Sequence, residues 1–119
     1  MVAAMHVLVI DDDVDFLAFT QARLGCRVSI ARTPLEAFWL LEREAFDAVL
    51  CDLRLDDVDG RELLEEIAAS WPATTRLLIT GYGEQLETTE VLAHTVMYKP
   101  CDLPTLRRAV TLAEAAAAG

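Results

Sequence analysis

Aspartates at positions 11, 12 and 13, with another at 15, follow directly on the apolar run Val7–Ile10. Carboxylates a few ångströms apart disfavour one another's ionised form, so such a cluster is either simply solvated or completed by a cation. Three more polar groups stand at the ends of apolar runs: Asp52 after AVLC, Thr80 closing LLIT and Lys99 after VMY. Asp11 and Asp12 offer oxygen ligands and Asp52 a third carboxylate, a donor set suited to a hard divalent cation, Mg²⁺ above all. Thr80 adds a hydroxyl donor. Of 10 basic residues Lys99 is the only lysine, and a composition so biased to arginine marks a position where a compact ammonium is of use. Together these groups describe a site able to receive a phosphoryl group on an aspartate, with the metal and Lys99 neutralising its oxygens and Thr80 bonding one of them.

Each residue also has a bland reading. The aspartate run can cap a helix and favour its dipole, and Asp13 and Asp15 are read only in that way, as solvated helix-start residues. Asp52 alone reads as a turn residue, Thr80 as a strand former, and Lys99 as a solvated surface lysine. The combination favours the functional reading.

Five short apolar runs must carry these groups: His6–Ile10, Arg27–Ala31, Ala48–Cys51, Leu77–Thr80 and Val96–Tyr98. VLVI and AVLC are apolar on both faces, as in strands covered by helices on each side. Helical periods lie between them. Thr33-Pro34-Leu35-Glu36 reads as a capping box opening a helix with Phe38, Trp39 and Leu41. Leu63, Leu64, Ile67, Ala68 and Trp71 follow helical spacing until Pro72. Asp102 is placed to cap a last helix bearing Leu103, Leu106, Val110 and Ala113. Trp39 and Trp71 are both expected in the core. Alternating strands and helices over this length predict a parallel sheet with helices on both faces and right-handed crossovers. The binding crevice of such a sheet lies at the carboxyl ends of its strands, where Asp11–Asp13, Asp52, Thr80 and Lys99 all fall.

The chain has 119 residues, which predicts one domain over 1–119, and its 54% hydrophobic content argues against disorder. A formal charge of −10 argues against non-specific nucleic-acid binding and for solubility or a basic partner. Cys26, Cys51 and Cys101 lack metal-ligand spacing; Cys51 reads as a small core residue, and the set fits a reduced, cytoplasmic setting. Neither a signal peptide nor an apolar stretch of the roughly 18 residues needed to span a bilayer is apparent.

The segments VLVIDDD, DAVLCDLRLDDVDG, LLITGYG and YKP, in this order, resemble the receiver domain of two-component response regulators over essentially the whole chain. The resemblance implies an α/β, doubly wound, five-stranded parallel sheet in the order 2-1-3-4-5, the flavodoxin-like receiver fold. It implies Asp52 as phosphoacceptor, Asp12 as a direct Mg²⁺ ligand, Asp11 as its partner acting largely through water, and the backbone carbonyl of Arg54 as the remaining protein ligand. Thr80 and Lys99 then contact the phosphoryl group, Gly81 leaves it room, and Pro100 follows Lys99 through a cis peptide, a form that X–Pro bonds tolerate.

The sequence departs from the family pattern in places. Asp56 stands where the family has proline, adding charge to that loop without touching the chemistry. Val96 replaces the switch aromatic, with Tyr98 on the same strand face as a partial substitute. Arg54 and Tyr82 flank the phosphoryl position and are expected to shield it from water. The helix within GEQLETTEVLAH is short of apolar anchors, which makes it the expected mobile element, with His94 exposed at its end; the signal is expected to travel through Gly81-Tyr82-Gly83 into it.

The function so implied is a phosphorylation-controlled module. It takes its phosphoryl group from a histidine kinase or phosphotransfer protein, catalyses only its own phosphorylation and dephosphorylation, and presents a changed surface to a partner or output domain. No output domain is seen in the sequence, so the module is read as a stand-alone regulator or as a receiver excised from a hybrid kinase or a longer regulator. It is expected to be a monomer or a weak homodimer through the helix 4–strand 5–helix 5 face, with no direct nucleic-acid or membrane binding. The alternative from another class is a small Mg²⁺ phosphohydrolase of the haloacid dehalogenase type with Asp11 as nucleophile. A third is a receiver-like interaction domain that never meets phosphate.

Overall fold

The computed structural model describes residues 5–81, 95–99 and 102–118. Tyr82, the helix expected within 83–94 with His94, the peptide to Pro100, and Cys101 lie outside these residues.

The apolar runs build the sheet. Strands β1 (His6–Ile10), β2 (Arg27–Ala31), β3 (Ala48–Asp52), β6 (Thr75–Thr80) and β7 (Thr95–Tyr98) form one sheet in the order β2-β1-β3-β6-β7, all pairs parallel. Two strands that the sequence reading missed, β4 (Arg54–Leu55) and β5 (Val58–Asp59), make a small antiparallel ribbon after β3. Discounting that ribbon, the order is the expected 2-1-3-4-5.

Alternate residues of each strand serve opposite cores. Val7, Val9, Leu50, Leu77 and Ile79 face helices α1 (Val14–Arg23) and α4 (Leu103–Ala118), which bury Phe16, Leu17, Leu106 and Val110 against them. Leu8, Ile10, Val49, Cys51 and Leu78 face α2 (Pro34–Arg43) and α3 (Gly60–Ser70), which bury Ala37, Leu41, Leu63, Leu64 and Ile67. The all-apolar look of VLVI and AVLC thus has its cause: both faces are dry. Burial also pushes the Cys51 thiol up, so it is a neutral core residue.

Capping follows the sequence with one shift. Asp13 caps α1 by accepting from Phe16 N (3.1 Å), and Asp102 caps α4 by accepting from Thr105 N (2.9 Å). Thr33 caps α2, accepting from Glu36 N at 3.1 Å, but the Glu36 carboxylate reaches back to Arg32 N (2.8 Å), one residue before the expected partner.

Trp39 corrects the core expectation. It is 55% exposed, with the Arg43 guanidinium 4.0 Å above its ring. The buried positions of α2 are Ala37 and Leu41, one helical turn apart, and Trp39 midway between them faces outward. Trp71 does join the second core, where it stacks on Phe38 with ring centroids 6.0 Å apart.

Candidate functional site

Parallel pairing with matched register carries the polar groups to one edge. Ile10 lies opposite Cys51, Asp52 opposite Ile79 and Thr80 opposite Tyr98. The hydrogen bonding continues one residue beyond the strands: Asp11 N donates to Ala31 O (3.0 Å), Leu53 N to Ile79 O (2.9 Å) and Lys99 N to Thr80 O (2.9 Å). Asp11, Asp52, Thr80 and Lys99 therefore sit on rigid backbone.

Ligand oxygens of Asp11, Asp12 and Asp52 lie within 4.8 Å of one another, Asp11 and Asp52 buried and Asp12 exposed. The Lys99 ammonium reaches between them, 2.6 Å from Asp11 Oδ2 and 3.3 Å from Asp52 Oδ2. The Phe16 ring backs it, with Nζ 4.6 Å from the centroid. The other Asp11 oxygen accepts from Asp13 N (2.9 Å), and Arg54 N approaches Asp52 Oδ1 at 3.4 Å. Thr80 is fully buried at its strand end. A Cβ at Gly81 would meet nothing within 4 Å among the described residues, so none of them demands a glycine there. Three convergent carboxylates with one exposed face fit a hard divalent cation by donor chemistry.

The charges explain the proton affinities. Burial, then the Asp11 charge, raise Asp52 to about 6, although Lys99 and the Arg54 N–H oppose them. Burial disfavours the Lys99 ammonium, yet its hydrogen bond and charge interaction with Asp11, and those with Asp52, raise it overall. A carboxyl raised on folding contributes stability that is full below the ordinary carboxylate range, near pH 4, and is lost as pH rises through about 6. Relative to Asp52→Asn, the unsubstituted domain in chelator should therefore lose about 2 kcal/mol between pH 4 and pH 7.5. Denaturant melts of both proteins across this range check it, and parallel curves would contradict the assigned environment.

Three features escaped the sequence reading. Phe16 gave no signal beyond an apolar residue at helical spacing. Gly60, visible only as part of VDG, lies so close to β3 that a Cβ would fall 1.9 Å from the Asp52 carbonyl oxygen. Asp56 was expected not to touch the chemistry, but its N–H donates to Asp12 Oδ2 at 2.9 Å. Val96 packs partly against the second core, and Tyr98, on the same face, is 50% exposed.

This arrangement at the carboxyl edge of a five-stranded parallel sheet defines a class, and comparison with known proteins agrees. Residues 7–111 match the family model described as response regulator receiver domain. The chain belongs to that family. It is 37% identical to the transcriptional regulatory protein ZraR of Klebsiella oxytoca over 119 residues, 95% of this chain and 26% of that protein. To the response regulator protein PilR of Pseudomonas aeruginosa it is 36% identical over 112 residues, 89% of this chain and 25% of that protein. The chain thus spans about a quarter of the length of these curated relatives. Among solved structures, a CheY-like receiver domain from Methanospirillum hungatei JF-1 superimposes with a TM-score of 0.77 at 27% identity, covering 96% of this chain and 99% of that one. Among the described residues no helix is long and apolar enough to cross a membrane.

Proposed function

We propose that the domain accepts a phosphoryl group on Asp52 and relays its phosphorylation state to a partner surface. A carboxylate oxygen of Asp52 attacks phosphorus, a new O–P bond forms, and the bond to the donor, a phosphohistidine of a kinase or phosphotransfer protein, breaks with its electron pair leaving on the imidazole nitrogen. With a proton affinity near pH 6, Asp52 is mostly the ionised nucleophile at pH 7. Lys99, already bridging Asp11 and Asp52, supplies a point charge for the phosphoryl oxygens, and the Thr80 hydroxyl bonds one of them. A divalent cation such as Mg²⁺, held by Asp11, Asp12, Asp52 and the Arg54 carbonyl, supplies further neutralisation when bound.

The observation that carries this reading is the meeting of three carboxylates with the ammonium of the only lysine. It also weighs against a phosphohydrolase with Asp11 as nucleophile, since that carboxylate is fully buried and engaged by Lys99 and the Asp13 N–H. We further read the domain as the cytoplasmic receiver part of a regulator whose output is carried by another domain or protein. On that reading the domain itself catalyses only the gain and loss of its own phosphoryl group. With a formal charge of −10 it does not itself hold nucleic acid, and any self-association runs through β7, α4 and the segment before β7.

Acetyl phosphate with Mg²⁺ should add one phosphoryl group by intact mass, and borohydride should convert the labelled residue to homoserine at position 52. Undiminished labelling of Asp52→Asn would overturn the assignment.

A further inference from the structure

The ribbon after β3 brings a second element to the acidic cluster. Arg54 pairs with Asp59 and Leu55 with Val58, which leaves Asp56 and Asp57 at the tip of a two-residue connection. Asp56 has φ +54°, among the described residues the only non-glycine in the left-handed region. Aspartate tolerates that conformation better than most residues, at a cost on the order of 1 kcal/mol. The turn aims the Asp56 N–H at Asp12 Oδ2, 2.9 Å away and 44 residues distant in sequence. The ribbon is not a loose flap. Leu55 is buried in the second core, and Gly60 N donates to Leu53 O at 2.8 Å.

In this chain Asp12 has a partner that the proline of the family pattern, lacking an N–H, could not supply. Asp12 is the exposed member of the cluster, so repulsion from Asp11 and Asp52 would turn it towards water before either buried carboxylate moved. A charge-assisted hydrogen bond from a fixed amide opposes that rotation. It occupies a single site on one oxygen and leaves the rest of the carboxylate for a cation. Because Leu53–Leu55 join Asp52 to this amide, one short segment sets where both carboxylates stand.

We propose that the backbone N–H of Asp56, aimed by the left-handed turn of the β4–β5 ribbon, is a positioning group. It holds Asp12 against the other two carboxylates and so sets the affinity of the site for a divalent cation. The inference rests on the reading of these acids as a cation site. Asp56 acts through its main chain; its own carboxylate is dispensable.

Two substitutions separate these roles. Asp56→Asn and Asp56→Pro both remove the carboxylate, but asparagine keeps the N–H and accepts the left-handed turn, whereas proline has no N–H and a φ near −65°. Mg²⁺ affinity is read from the dependence of the melting midpoint on Mg²⁺ concentration. Asp56→Asn should bind within about twofold of the unsubstituted domain, and Asp56→Pro about tenfold more weakly, as when a partner that orients a metal ligand is lost. Equal affinities for the two variants, or an equal loss in both, would overturn the proposal.

A second measurement needs no proline. In chelator, amide exchange at Asp56 should be about tenfold faster in Asp12→Ala than in the unsubstituted domain, because the acceptor is gone. Unchanged exchange would also overturn it. Failure of the underlying reading looks different: Mg²⁺ would then leave the melting midpoint unmoved, or would raise it equally in Asp12→Ala.

Discussion

Lys99→Met should lower the stability of the domain in chelator at pH 8 by about 3 kcal/mol, the low end for breaking a buried ion pair. For a chain of this size that is a fall in Tm of about 10 °C. The reason is what the lysine leaves behind. Asp11 is fully buried with Oδ2 only 2.6 Å from Nζ, and Asp52 is nearly as buried and 3.3 Å from the same ammonium. Without it two like charges share a dry edge, and the cheapest escape is to take up a proton. The loss should therefore shrink on moving to pH 5. It should also be partly relieved by Asp52→Asn, which should stabilise the Lys99→Met protein more than it stabilises the parent. That non-additivity is the signature of direct coupling. Melts of the four proteins at the two pH values measure it; additive effects with no pH dependence would mean that the lysine only packs there.

Gly60→Ala should be comparably damaging although it touches no charged side chain. The new Cβ would stand 1.9 Å from the Asp52 carbonyl oxygen and 2.9 Å from its carbon. These are backbone atoms of a central strand, so the first turn of α3 must give way, along with the Gly60 N to Leu53 O bond of 2.8 Å. Overpacking of this kind costs about 3 kcal/mol, toward the upper end for an added methyl group. Asp59, which caps α3 by accepting from Arg61 N at 2.9 Å, would be displaced with the turn. Since Asp52 ends the strand that is pushed, labelling by acetyl phosphate should slow as well. A variant within about 1 kcal/mol of the parent, labelled at the parental rate, would show that α3 tolerates a wider separation.

Much of this molecule is written in its local sequence. Runs apolar on both faces can be stable only inside a two-sided sheet, so VLVI and AVLC announced a parallel core with helices on both faces; the structure puts α1 and α4 on one side and α2 and α3 on the other. Caps are local as well: Asp13, Thr33 and Asp102 each hold an amide three residues ahead, and each was legible in the sequence. Strand ends alone put Asp11, Asp52, Thr80 and Lys99 on one edge, because parallel strands all finish on the same side.

Distance in three dimensions decided the rest. Trp39 and Trp71 look alike in sequence, and only the orientation of α2, which turns Ala37 and Leu41 to the sheet, put one outward while the other met Phe38. Gly60 is confined by a strand eight residues behind it, and Asp12 is held by an amide 44 residues ahead. A sequence pattern records which face a residue occupies, because that follows from the backbone period. It does not record which main-chain atoms another segment brings within 3 Å. At this edge those contacts decide where the Asp12 and Asp52 carboxylates stand.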